Sequence, residues 1–248
     1  MQRALADYRL FLRQFRRAYH TTGAILPSGR ALSKALVRYV ANDLEQPEQI
    51  LEPRRILEVG PGTGTVTSHL VRALGSQDRL DLVEVNDEFV AHLRGRLDRE
   101  ASFRAVAART HILHGRVEQV TTGDTYDRIV SGLPLNNFSV AEVEKILDTF
   151  TKILRPGGVL SFFEYIWIRR GRALCSGAKQ RARLRGIGHA LDRLLQHEIQ
   201  RESVWLNVPP AWVHHVRVQS RGSRDEGQDV VPKPAPRPST LDPRLSRP

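Results

Sequence analysis

Cysteine is nearly absent: Cys175 is the one thiol in 248 residues. A lone cysteine excludes an internal disulfide and any paired-cysteine motif, and it fits a reducing compartment. Long apolar runs are missing too. The best candidate, VLSFFEYIWI at 159–168, carries Glu164 and falls well short of the ~20 apolar residues that cross a bilayer. The first twenty residues hold no uninterrupted apolar core, so no secretory signal is expected there. The histidines are scattered, with no ligand spacing to Cys175, so no metal is expected; no Gly-x-Ser-x-Gly elbow points to hydrolysis. Acidic residues are few against basic ones, 27 to 38, for a formal charge of +11 and a pI near 10.6. That excess predicts an anionic partner, nucleic acid or an acidic membrane surface, without choosing between them.

A hydrophobic content of 40% suffices for a core, and the length suits one large α/β domain. Residues 1–20 place Leu5, Tyr8, Phe11, Leu12, Phe15 and Tyr19 at three- and four-residue spacing, with Arg3, Arg9, Arg13, Arg16 and Arg17 between them. This spacing predicts an amphipathic helix. ILPSGRALSKALVRYV predicts a second, with Pro27 and Ser28 near its start. From residue 53 the pattern alternates: strand RRILEVG, helix TVTSHLVRAL ended by Gly75, strand RLDLVEV, helix EFVAHLRGRL with Asp87 as N-cap. Strands HILHG and YDRIVSG follow, then helix SVAEVEKILDTFTKIL closed at residues 155–158, and strand VLSFFEYIWI. A helix around 181–200 leads to SVWLNV and WVHHVRV, two strands flanking Pro209 and Pro210; the His214–His215 pair belongs to the second. Such β-α-β-α order predicts a parallel sheet with helices on both faces. Residues 221–248 are polar and Pro-rich, the composition of a disordered tail.

ILEVGPGTGTVT, residues 56–67, sets Gly60, Gly62 and Gly64 between a strand and a helix. There the backbone can approach a ligand and the helix offers free N–H groups. A dinucleotide fingerprint, G-x-G-x-x-G, fits badly: the third Gly comes one residue early, and Glu58 would repel a pyrophosphate. A cationic ligand tolerates that carboxylate. Glu84 ends the next strand, where a carboxylate can accept hydrogen bonds from both ribose hydroxyls of a nucleoside.

The turn resembles the first motif, E/D-x-G-x-G-x-G, of class I S-adenosylmethionine-dependent methyltransferases. The resemblance implies S-adenosyl-L-methionine as cofactor, bound by Glu58, Gly60, Gly62, Gly64 and Glu84. It also implies a Rossmann-like, mostly parallel seven-stranded sheet with a terminal antiparallel hairpin. Many relatives place an acid after the third strand against adenine. Here Gly115 is followed by Arg116, and the nearest acid is Glu118, so main-chain groups at 115–117 are the expected contact.

In this fold the fourth strand ends beside the transferable methyl, which makes SGLPLNNF, residues 131–138, the expected acceptor loop. Ribosomal RNA adenine dimethylases share a similar Gly turn and carry N-L-P-Y in this loop. Gly132-Leu133-Pro134-Leu135 lacks both the Asn clamp and the stacking Tyr, which forfeits about 1–3 kcal/mol of base stacking. That argues against nucleic acid and leaves ribosomal RNA adenine N6-methylation as the alternative. Ser131–Leu135 as S-G-L-P-L, AILPSGRALSKAL, and Trp205–Ala211 as W-x-N-x-P-P-A resemble bacterial soluble-type phospholipid and ornithine lipid N-methyltransferases, over residues 9–218.

This second resemblance implies stepwise N-methylation of a membrane aminolipid, ornithine lipid or phosphatidylethanolamine, by a cytoplasmic enzyme peripheral at the inner face of the bacterial membrane. Residues 1–26 would contact an anionic membrane through Arg9, Phe11, Arg13, Phe15, Arg16 and Arg17; 27–220 would form the methyltransferase domain and 221–248 the tail. A second basic run, Arg169, Arg170, Arg172, Lys179, Arg181, Arg183 and Arg185, is expected to face head groups from the same side. Ser131 is assigned to the cofactor. Tyr19, His20, Asn136, Asn137 and Glu164 are the candidates for steering the amine. The sequence carries no signal of oligomeric state.

Overall fold

The strand β1 (Arg55–Val59) is apolar apart from Arg55 and Glu58, and four of its five residues are buried, as in a strand covered from two sides. Parallel neighbours extend the sheet from it. β2 (Arg79–Glu84) and β3 (Thr110–His114) lie on one side, β4 (Tyr126–Ser131) and β5 (Leu154–Tyr165) on the other. β6 (Glu198–Val204) forms the far edge, with β7 (Ala211–Arg217) inserted antiparallel between β5 and β6. The order is β3-β2-β1-β4-β5-β7-β6, the mostly parallel, Rossmann-like sheet with an end hairpin that the sequence predicts. The computed structural model describes residues 27–45, 52–119, 125–166, 178–207 and 209–218. Tyr19, His20, Arg9, Phe11, Arg13, Phe15, Arg16 and Arg17, as well as Arg169, Arg170, Arg172 and the expected tail, lie outside these residues.

Successive strand residues point to opposite faces, and helices cover both. α1 (Pro27–Glu45), α2 (Thr67–Leu70), α3 (Asp87–Arg99) and α4 (Ala101–Arg104) bring Leu36, Val40, Leu70, Leu93 and Phe103 against Ile56, Leu82, Phe163 and Val213. α5 (Val140–Ile153) and α6 (Ala178–Leu195) pack Phe150, Ile187 and Leu191 on Leu57, Ile129 and Phe162. Among the described residues, no helix is long and apolar enough to cross a membrane. A buried ion pair anchors the base of this layering. Arg54 bonds Asp78 through its backbone N–H (2.9 Å) and its guanidinium, and reaches the Val40 carbonyl of α1 at 2.8 Å. Burial pushes the Asp78 carboxyl up, but the guanidinium and amide of Arg54 and the Gly75 amide outweigh it and hold the carboxyl below its usual range.

Several boundaries differ from the sequence reading. Asn86, not Asp87, caps α3: its Oδ1 accepts from the N–H groups of Glu88 (2.9 Å) and Phe89 (3.1 Å). Asp87 becomes the first helical residue, where its charge still meets the positive helix end. The helix expected over TVTSHLVRAL is regular only at Thr67–Leu70, because β-branched Thr65, Val66, Thr67 and Val71 disfavour it and the chain tightens into an Ala73 N–H to Leu70 O bond of 2.8 Å. α5, capped by a reciprocal Ser139–Glu142 box, runs straight into β5. The turn expected at 155–158 lies inside that strand, as an irregularity with Gly157 at φ 78°. α6 stops at Leu195, and the edge strand is EIQRESV (198–204) rather than SVWLNV. Its residues alternate between half-buried and exposed, the signature of a strand with one face covered and the other in solvent.

Candidate functional site

Strand order reverses between β1 and β4, and the crevice beyond their C-terminal ends is where an open α/β sheet binds ligands. The turn after β1 is tied to its neighbours by Gly60 N–H to Val83 O (2.9 Å) and Gly64 N–H to Pro61 O (2.9 Å). Gly60, Gly62 and Gly64 all take positive φ, at 73°, 56° and 80°, a conformation glycine adopts without strain. Their surroundings differ. A Cβ on Gly60 would lie 2.7 Å from Leu133 Cδ2, and one on Gly64 2.6 Å from Arg96 Nη1. A Cβ on Gly62 would meet nothing within 4 Å. Gly60 and Gly64 are packed from behind, while Gly62 faces open space.

Sequence reading missed Arg96. Its Nη1 donates to the carbonyls of Thr63 (3.0 Å) and Gly64 (2.8 Å), and its Nη2 to Ser68 Oγ (2.9 Å), so one guanidinium staples the turn to α2. Glu100 accepts from Nε at 2.6 Å, and the plane lies 4.1 Å from the Phe103 ring centroid. The i,i+4 spacing of Arg96 and Glu100 was visible, but it marks an ordinary helix pair.

Two carboxylates flank the turn. Glu58 is 1% exposed and neither of its oxygens has a hydrogen-bond partner. Burial pushes its carboxyl up to about 8; nearby Thr67 opposes the shift, outside hydrogen-bonding geometry, and the charge of Glu84 adds to it. Glu84 is also buried, and its carboxyl is raised by burial against three backbone amides. Oε2 accepts from Gly62 N–H (3.1 Å), and Oε1 from Val85 N–H (2.8 Å) and Asn86 N–H (2.9 Å). Glu84 therefore holds the open glycine directly, and Glu58 lies close enough to feel its charge.

The loop after β4 docks on this turn. Gly132 N–H donates to Val59 O at 2.8 Å, and a Cβ on Gly132 would sit 2.7 Å from Gly60 O. Ser131 is fully buried, and its Oγ accepts from Leu133 N–H at 3.3 Å. Leu133, Leu135 and Phe138 are buried, and so is Asn136, whose Oδ1 lacks a hydrogen-bond partner. Asn137 is half-buried, with its N–H on Pro134 O at 3.0 Å. Arg183 corrects one expectation. Instead of facing head groups with the basic run, it turns inward and donates to the carbonyls of Phe138 (2.8 Å) and Asn136 (3.1 Å).

Gly115, Arg116, Val117 and Glu118 line a cavity with Val59, Val83, Leu133, Phe138 and Ile146. Gly115 N–H donates to Glu84 O (2.9 Å), and the Arg116 guanidinium lies 3.8 Å from Glu142 of α5. Glu164 stands apart from these groups on β5, buried beside His214 of β7 at 3.5 Å; the His214 Nδ1 is 2.6 Å from Glu198. Among the described residues, no group of three or more His, Cys, Asp or Glu side chains is placed to hold a metal ion.

Residues 56–158 match the family described as a methyltransferase domain. The ornithine lipid N-methyltransferase of Singulisphaera acidiphila is 26% identical over 170 residues, covering 66% of this chain and 81% of that protein. The ubiquinone/menaquinone biosynthesis C-methyltransferase UbiE of Vibrio parahaemolyticus is 28% identical over 113 residues, which cover 45% of this chain and only 41% of the relative. Among solved structures, a Burkholderia thailandensis 1,6-didemethyltoxoflavin-N1-methyltransferase with bound S-adenosylhomocysteine aligns with a TM-score of 0.58 at 13% identity, over 88% of this chain and 91% of that one. The Bacillus cereus O-methyltransferase gives 0.57 at 16% identity, over 84% and 90%. The open Gly62 cradle and the unpartnered Glu58 carboxylate fit a ligand that brings positive charge and hydroxyl donors. Fold and matched domain agree with that chemistry: the sheet is Rossmann-like, and residues 56–158 match a methyltransferase domain whose cofactor is S-adenosyl-L-methionine.

Proposed function

We propose that the chain methylates the primary amine of a membrane aminolipid, ornithine lipid or phosphatidylethanolamine, stepwise toward the trimethylated form. The observation that carries this reading is Asn136: an amide oxygen buried without a hydrogen-bond partner, beside the apolar side chains Leu133, Leu135 and Phe138. A buried acceptor in apolar surroundings needs a donor, and an amine N–H supplies one. The ornithine lipid N-methyltransferase relative, matched over 81% of its length, supports the same acceptor.

Bound S-adenosyl-L-methionine supplies a methyl group on a sulfonium. In this proposal Glu58, Glu84 and the turn at Gly60, Gly62 and Gly64 hold its charged and hydroxyl groups, while Gly115, Arg116 and Ser131 complete the pocket. The acceptor amine must be neutral to attack, and the apolar loop favours the neutral form by desolvation. Asn136 orients the amine and Asn137 is a second orienting amide. Glu164, near the C-terminal end of β5, and Tyr19 are further candidates for steering the amine. The Gly132–Val59 and Gly132–Gly60 contacts fix the acceptor loop against the donor turn, and alignment of this kind supplies much of the rate. The segment bearing Arg9, Phe11, Arg13, Phe15, Arg16 and Arg17 keeps the enzyme at the cytoplasmic face of the membrane.

Adenine methylation of ribosomal RNA draws less support. Leu135, at the stacking position, is 1% exposed, and an Asn at 132 would collide with the Gly60 carbonyl. The UbiE relatives raise carbon methylation of a quinone ring as a second reading. Incubation with methyl-labelled cofactor and, in parallel, ornithine lipid, phosphatidylethanolamine, a demethylated quinol or ribosomal RNA separates these. Label is expected in the aminolipid head group; label in quinol or RNA alone overturns the proposal.

A further inference from the structure

Large apolar side chains with high exposure are few among the described residues: Ile199, Trp205 and Leu206. Trp205 and Leu206 are consecutive, 63% and 75% exposed, at the turn that leaves β6. This turn is held by specific bonds. Asn207, 6% exposed, donates its N–H to Val204 O (3.3 Å) and its Nδ2 to Pro209 O (2.7 Å). Turn tips ordinarily carry Gly, Asn, Asp or Ser; here a buried Asn instead holds an indole and an isobutyl group out into solvent.

The position of the tip suggests its use. Tyr165, Ala211 and Val204 pair across β5, β7 and β6 as the last layer of the sheet. The tip therefore projects from the end of the sheet at which β5 finishes, the same end as the loop 131–138 after β4. Arg183 reaches into that loop from α6, with Arg181 and Arg185 at exposed positions on either side of it. Arg201, exposed on β6, lies over the Trp212 ring at 5.4 Å. An indole rests at the headgroup level of a bilayer with its ring in the apolar boundary and its N–H hydrated, and guanidinium groups meet lipid phosphates there. Two side chains at a tip are too small an apolar patch for a stable protein interface, whereas they suffice as one wedge of a peripheral membrane contact that also uses a net charge of +11.

We propose that Trp205 and Leu206 insert into the headgroup–acyl boundary of an anionic phospholipid bilayer and so turn the acceptor-loop end of the sheet toward the membrane. The inference rests on the aminolipid reading and adds a membrane contact that neither the sequence reading nor the comparisons assign. Vesicles of phosphatidylglycerol and phosphatidylethanolamine test it by co-sedimentation. W205S/L206S is expected to lose at least about tenfold in vesicle affinity, whereas W205F/L206M retains it, with melting temperature and S-adenosylhomocysteine affinity unchanged in both.

In a W167F/W212F background Trp205 is the remaining tryptophan, and vesicles carrying brominated acyl chains should quench it. Unquenched emission, or equal vesicle affinity of W205S/L206S and the parent, overturns the proposal. So does a variant that alters self-association in the ultracentrifuge while vesicle binding is untouched, since the tip is then a protein interface. A short-chain phosphatidylethanolamine or ornithine lipid, dissolved as monomers, separates the two levels of inference. Its methylation should survive in W205S/L206S. If the parent enzyme fails to methylate it, the aminolipid reading falls whatever the vesicle result.

Discussion

The parallel centre of the sheet and its antiparallel edge treat buried ionisable groups in opposite ways. At the centre Glu58 is buried with no hydrogen bond to either oxygen. At the edge each buried histidine of β7 bonds a carboxylate, although His214 Nε2 makes no hydrogen bond. His214 Nδ1 meets Glu198 at 2.6 Å; His215 shares a proton with Ser161 Oγ at 2.8 Å through Nδ1 and meets Glu202 at 3.1 Å through Nε2, while Arg38 of α1 grips Glu202. Burial lowers the His215 pKa, with Glu202 opposing, so the ring stays neutral as a hydrogen-bonded strut. The edge histidines and carboxylates are cross-linked to one another, whereas neither oxygen of Glu58 at the centre has a hydrogen bond.

The contrast can be broken or sharpened by substitution. The largest effect is expected from Arg54→Ala, which leaves Asp78 buried without its cation and should cost about 3–5 kcal/mol in urea unfolding. Next comes Glu58. Its folded pKa of about 8 lies above the unfolded value of 4.5, so the folded chain holds a proton that the unfolded chain gives up between them. Stability of the cofactor-free protein should therefore fall as pH rises from 4.5 to about 8, by on the order of a few kcal/mol, and Glu58→Gln should flatten that slope. The same variant should lose about tenfold or more in cofactor affinity by calorimetry, because an amide, unlike the carboxyl, has no proton to give up on meeting the cation. Glu202→Ala at the edge should destabilise by about 1–3 kcal/mol with cofactor affinity unchanged. The comparison fails if Glu58→Gln destabilises the protein as much as Glu202→Ala. The smallest effect is Ser139→Ala, which removes the α5 cap and should cost about 1 kcal/mol in thermal unfolding without touching either region.

Legibility in the sequence followed the range of the interactions. The Gly turn, Glu58 and Glu84 were readable because a strand, a tight turn and a helix must follow one another within about thirty residues. The β-α alternation, and with it the parallel part of the sheet, was readable for the same reason. β6 was not: EIQRESV, an edge strand paired on one side, has no apolar run, and the eye slides to the apolar SVWLNV beside it. Arg96 and Arg183 were invisible because their long side chains act 28 and 47 residues away, on a hydroxyl and a carbonyl that any residue pattern would supply. Arg183 is the sharper lesson: within a basic run, composition suggested a charge facing head groups, and only packing shows it turned inward as a brace for the loop 131–138.

Gly132 has the last consequence. With Gly132 packed so closely that a Cβ would meet the Gly60 carbonyl, the floor of one substrate's berth would also be the wall of the other's in the proposed enzyme. Under the proposed function, diversification toward new amines could not pass through that position without loosening the grip on the methyl source. Changes of acceptor must be written further along, at 134–137, where side chains can vary while the shared hinge of two glycines stays shut.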